Sequence, residues 1–144
     1  MEKITLGQLI NKGAIYFARI EEGFADYSYQ IIEGSEAELK AYLTDLIHEN
    51  GWENSWVDFY YGRLKEDEKE RVSAFLTDEE KQFLESVNLG KEDLYFALTE
   101  ELFEVTFRLS VTEMLFSTFY FTKEPCTVWS SFEKKILRFS QHKQ

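Results

Sequence analysis

The sequence predicts an α+β fold: an antiparallel sheet with a C-terminal meander, and helices packed on one face. Three observations predict it. Capping boxes recur ahead of helically spaced apolar residues, most clearly Ser35 with Glu38 before Leu39, Tyr42, Leu43, Leu46 and Ile47. Runs rich in aromatic and β-branched residues fill 115–122, 126–131 and 135–140, with only short breaks between them. Aromatic residues make up 17% of the chain, which calls for a packed core rather than a disordered segment.

Each element can be justified in order. Residues 5–12 predict a short helix, with Thr5 as N-cap, Gln8 three residues on, and Gly13 as the stop. Residues 14–21 and 25–32 are rich in Ile, Tyr and Phe, and Glu22-Gly23 between them reads as a hairpin turn. Residues 35–50 are the clearest helix, closed by Asn50-Gly51. Residues 52–64 read as a loop entering a short strand, closed by Gly62. A helix over 67–76 follows, with Asp67 as cap, Glu70 at the third position and Val72, Phe75 and Leu76 as its stripe. Thr77 with Glu80 opens another, with Phe83, Leu84 and Val87 inside and Leu89-Gly90 at its end. Residues 91–103 predict a further helix through Leu94, Ala97, Leu98 and Leu102. Residues 105–112 fit two templates. Val105, Phe107, Leu109 and Val111 alternate as in a half-buried strand, while Leu98, Leu102, Val105 and Leu109 suit a longer helix. Lys123-Glu124-Pro125 makes a turn within the final meander.

The totals bound the class of molecule. A chain of 144 residues fits one domain, 1–144, and at this length buries roughly 70% of its unfolded surface. The seven Gly and one Pro are scattered singly, so no linker divides the chain. Cys126 is the single cysteine, so no intrachain disulfide forms. The start, Met1-Glu2-Lys3-Ile4, does not read as a signal peptide, and no run approaches a membrane span; the cytoplasm is the expected location. Net charge is −11, divided into −14 over residues 1–122 and +3 over 123–144. So negative a surface repels nucleic-acid phosphates and anionic membranes, and attracts a basic protein.

Motifs for chemistry are missing. Two histidines, His48 and His142, and one cysteine give no zinc spacing, and there is no calcium loop. No G-x-S-x-G elbow, phosphate loop or dinucleotide fingerprint occurs, so no cofactor is implied. His48 falls in the last turn of a helix, where a cation suits the dipole. Cys126 reads as a small buried apolar residue. Adjacent acids such as Glu21-Glu22 and Glu100-Glu101 carry no special spacing.

What remains is a surface. Residues 52–61, WENSWVDFYY, mix two Trp and two Tyr with acids. On a strand beyond Ser55, Trp56, Asp58 and Tyr60 share one face, while Val57, Phe59 and Tyr61 share the other and look like core. The first set, with Trp52 and Glu53, forms a candidate aromatic–acid docking face, since Trp and Tyr anchor interfaces. The competing reading packs all these rings inside. Two acidic helix starts, Glu66-Asp67-Glu68 and Asp78-Glu79-Glu80, add candidate partner contacts at Glu66, Asp67, Glu68, Asp78 and Glu79, although part of that acidity is helix capping.

In size, acidity, helix–strand order and the C-terminal run LFSTFYFTKEPCTVWSSFEKKILRF over 115–139, the chain resembles the small acidic immunity proteins paired with LXG-type polymorphic toxins of Gram-positive bacteria. That resemblance implies a non-enzymatic antitoxin whose acidic face covers the substrate groove of a basic cognate toxin, often a nuclease. Two other classes stay open. A small enzyme built on carboxylates and His48 predicts a pocket that gathers His48 with an acid. An adaptor or subunit predicts a large apolar surface patch.

Overall fold

Seven strands join into one antiparallel sheet in the computed structural model, which describes residues 1–141. In chain order the elements are β1 (Lys3–Ile4), α1 (Leu6–Asn11), α2 (Ile20–Asp26), β2 (Ser28–Glu33), α3 (Glu36–Asn50), β3 (Ser55–Asp58), α4 (Glu66–Ser73), α5 (Asp78–Val87), β4 (Tyr95–Ala97), α6 (Glu100–Val111), β5 (Thr118–Phe121), β6 (Cys126–Ser131) and β7 (Lys135–Ser140). The strand order is β1-β4-β3-β5-β6-β7-β2. The fold is α+β with an antiparallel sheet, and β5, β6 and β7 form the C-terminal meander.

The long helices α3, α4, α5 and α6 pack on one face of the sheet. There they meet Val57, Phe59, Phe96, Phe119, Phe121, Val128 and Ile136 in the main core. Alternation along each strand sends the neighbouring residues to the opposite face. A thinner layer covers that second face. Leu9 of α1 packs on Trp56 and Tyr120, while Ile15, Phe17 and partly buried Ile20 of α2 pack on Phe139.

The capping boxes form as read, at Thr5/Gln8, Ser35/Glu38 and Thr77/Glu80. Each satisfies two backbone N–H groups that a helix start leaves unpaired. Gly51, at φ +87°, stops α3. Its neighbour Asn50 does more than end a helix. It is buried, its amide donates to the Leu46 carbonyl, and its Oδ1 accepts from the backbone N–H groups of Lys123 (3.1 Å) and Glu124 (2.7 Å). One side chain thus pins α3 to the β5–β6 turn.

Several local expectations are corrected. Residues 14–21 and 25–32 do not form a hairpin. The first stretch is irregular and then helical, and β2 pairs instead with β7, from Ser28↔Ser140 to Glu33↔Lys135. Gly23 is not a turn residue: a Cβ there would stand 2.6–2.8 Å from the Phe17 and Phe139 rings. It is a point of close approach that lets α2 lie on the sheet. The first cap of α4 is Lys65, not Asp67, because Glu68 reaches back to accept from the Lys65 N–H at 2.9 Å. Helix α5 ends at Val87, with Asn88 left-handed at φ 48°, ahead of Leu89-Gly90. Residues 91–103 are not one helix. Leu94, Phe96 and Leu98 alternate as the buried side of β4, and Thr99 then caps α6. Residues 105–112 lie mostly in that helix. Their polar alternates are satisfied internally, with the Thr106 hydroxyl donating to Leu102 O at 2.8 Å and Ser110 Oγ accepting from the Ser117 N–H at 3.1 Å.

Candidate functional site

The helical layer carries the charge. Helix α3 holds four acids against Lys40, α4 four against Lys69 and Arg71, α5 four against Lys81, and α6 three against Arg108. Fifteen acids therefore face five Lys/Arg, so these four helices hold ten of the eleven net negative charges. The first turns of α4 and α5 are acidic because carboxylates there meet unpaired N–H groups and the positive end of the helix dipole. Between α5 and α6 runs a groove of about 280 Å³, lined by Glu79, Phe83, Glu101 and Val105 among others. Two ion pairs brace it. Arg108 Nε meets Glu80 Oε1 at 2.9 Å, and Lys40 Nζ meets Glu104 Oε2 at 2.6 Å. Glu79 and Glu101 are exposed on its rim, and neither takes part in an ion pair among the described residues.

The structure separates the residues singled out from the sequence. Glu66, Asp67, Asp78 and Glu79 are exposed on the helical layer, and Glu68 is half-buried by its capping role. Trp52 and Glu53 are exposed on a single 3₁₀ turn before β3, and Tyr60 is 38% exposed beyond the other end of that strand. Trp56 and Asp58 are buried, at 3% and 6% exposure, which corrects the reading of an exposed aromatic–acid face. Strand β3 is central, between β4 and β5, and α1 covers its second side. Lys12 Nζ sits 5.0 Å above the Trp56 ring, a cation–π contact that helps close α1 over it. No family model matches the chain, and no curated protein or solved structure matches it significantly.

Asp58 and Tyr60 instead belong to a cavity of about 300 Å³ on the second face. Register explains the assembly. Asp58 lies opposite Tyr95, Trp56 opposite Tyr120, and Thr118 opposite Trp129, so three strands deliver polar aromatics to one place. Tyr16, Phe17 and Phe116 complete the walls. Asp58 Oδ1 accepts from the Thr118 N–H at 2.7 Å, and no Lys, Arg or His pairs with the carboxyl among the described residues. Burial pushes the Asp58 carboxyl up to about 7, against the opposing pull of the Thr118 hydrogen bonds. Burial also raises the phenols of Tyr60, Tyr95 and Tyr120, and the Asp58 charge adds to each. Ser117 also borders the cavity, but its Oγ is closed off from the open space and has no hydrogen-bond partner among the described residues. Tyr16, Tyr95, Tyr120, Ser117 and Trp129 were missed in the sequence. The signal was there only as the alternation Thr118/Tyr120 and Thr127/Trp129, which has meaning once the register is known.

The other candidates stand apart. His48 is exposed in the last turn of α3, outside both the groove and the cavity, so no pocket here gathers it with an acid. His142 lies outside the described residues. Cys126 is buried in the main core, and burial raises its thiol to about 11, which suits a packing role better than a nucleophile. Among the described residues no three His, Cys, Asp or Glu side chains are grouped to hold a metal, and no helix is long and apolar enough to cross a membrane.

Proposed function

We propose that this protein is a non-enzymatic binding protein whose acidic helical layer docks a basic partner, and that the partner is a cognate toxin domain neutralised in the manner of an immunity protein. The observation that carries this reading is the segregation of charge: four helices hold ten of the eleven net negative charges, all on one side of the sheet. A one-sided field orients an approaching basic surface and speeds encounter, while the sheet behind it contributes rigidity. At contact, Glu79 and Glu101 flank a groove floored by Phe83 and Val105, which suits a Lys or Arg side chain with an apolar stem. Phe75, 49% exposed between α4 and α5, offers an apolar anchor in the same layer. Covering a basic substrate groove blocks a nuclease without any chemistry by the blocker.

The test is co-purification from the native cell at low and high salt, with mass spectrometry of what is retained. The expected result is a basic protein domain held at low salt and released at high salt, encoded beside the gene for this chain. Retention of no basic partner at either salt would overturn the reading.

A further inference from the structure

The cavity around Asp58 lies on the sheet face away from the acidic helices, and nothing in partner docking by the helical layer uses it. Its composition is selective. One buried carboxyl stands among the rings of Tyr60, Tyr95, Tyr120 and Trp129, and among the described residues no basic side chain lines the space. A bound anion would meet the Asp58 charge with nothing to offset it. A wholly apolar ligand would remove the remaining water from a carboxyl that has Thr118 as its one hydrogen-bonding residue. A cation suffers neither cost. The carboxylate supplies the counter-charge, and tyrosine and tryptophan faces attract positive charge through their quadrupoles. The form of the cation is also constrained. Thr118 already occupies Oδ1, so the carboxylate offers single-point acceptance, which suits an ammonium better than the two-pronged guanidinium.

We propose that the cavity is a binding site for a small organic ammonium ion, held by the Asp58 carboxylate between the aromatic walls. At about 300 Å³ the cavity is at the small end of ligand sites, which limits the occupant to a compact alkylamine or methylated ammonium.

The carboxyl must be ionised to act as the counter-charge. Affinity should therefore rise from pH 5.5 to pH 8 as Asp58 loses its proton around pH 7. The other titratable groups facing the cavity are Tyr16 on the segment before α2, Tyr60 after β3, Tyr95 on β4 and Tyr120 on β5, with Arg63 placed 5.9 Å over the Tyr60 ring. The raised phenols of Tyr60, Tyr95 and Tyr120 stay protonated across that range, so the rise reports Asp58.

The experiment is a titration of the full chain with butylammonium chloride and tetramethylammonium chloride, followed by the Trp129 indole N–H resonance. 1-Butanol serves as the neutral match. The expected result is a saturable shift with at least one ammonium ion, none with butanol, and at least about tenfold weaker binding in Asp58→Asn. Asn keeps an acceptor for the Thr118 N–H, so this variant should fold. Tyr60→Leu, at a half-exposed wall position, is the second variant and should weaken binding several-fold. A response to butanol equal to that of butylammonium, no saturable shift with either ion, or unchanged affinity in both variants would overturn the proposal. Neither outcome bears on capture of a basic partner by the helical layer, which is read separately.

Discussion

The two faces of the sheet follow different rules. Toward α3, α4, α5 and α6 the strands present Val57, Phe59, Phe96, Phe119, Phe121 and Val128, all apolar and none more than 2% exposed. Toward α1 and α2 the same strands present Trp56, Asp58, Tyr95, Tyr120, Thr127 and Trp129, each of which carries a polar atom. The first face carries few polar groups: buried Ser55 donates to Gly51 O at 2.9 Å, and Arg138 donates to the Tyr42 hydroxyl at 3.0 Å. The second must satisfy many. Thr127 does so by donating to Ile15 O at 2.6 Å, whereas Trp56 Nε1 stays unpaired among the described residues. A sheet that packs one side as scaffold can leave the other side incompletely filled, and that is where the cavity lies. The two proposed binding surfaces are then split between the outside of the scaffold helices, which bear the charge, and the unfilled second face.

The comparison can be broken by mutation. Truncating Phe119→Ala or Phe59→Ala on the scaffold face should cost about 3–5 kcal/mol in chemical denaturation, whereas Tyr60→Ala on the cavity rim should cost under about 1 kcal/mol. Similar losses on the two faces would erase the distinction. The Asp58 carboxyl gives the next largest effect. Its folded-state value, about 7, lies above the unfolded carboxyl range, so its contribution is fully present below about pH 4 and is lost as pH rises to about 7. Relative to wild type, Asp58→Asn should therefore gain stability across that window, by on the order of 4 kcal/mol, and stay level above it. Paired urea melts from pH 4 to 8 read this directly, and a difference that does not change with pH would contradict the burial argument. Asn50→Ala comes third. It leaves the backbone N–H groups of Lys123 and Glu124 without their partner at a partly buried site and should cost about 1–2 kcal/mol. The smallest effect belongs to the charged rim. Glu79→Lys with Glu101→Lys reverses two first-turn charges and should cost on the order of 1 kcal/mol while impairing partner capture.

How much of this was legible in the sequence depended on range. Signals confined to a few neighbouring residues could be read. Thr5, Ser35 and Thr77 declare their helices because a capping box is complete within four residues. The meander strands β6 and β7 were also legible, since 126–131 and 135–140 carry their own turns. Long-range choices were hidden. Residues 25–32 chose β7 as partner over the adjacent segment, and Gly23 acts through Phe139, more than a hundred residues away. Strand β4 has three residues, too short for a period to show. The site divided in the same way. The acids of α4 and α5 could be read as helix starts on a surface. Asp58 and Tyr60 could be marked but not placed, because the covering by α1 and the arrival of Tyr95, Tyr120 and Trp129 depend on strand order.

The central claim is that charge on the helical layer drives association. The most direct measurement is the affinity of the captured basic domain at several salt concentrations, for the wild type and for Glu79→Lys with Glu101→Lys. The account predicts a wild-type affinity that falls steeply with salt, and a variant with both weaker binding and a shallower salt dependence. Equal slopes and equal affinities in the two proteins would contradict it.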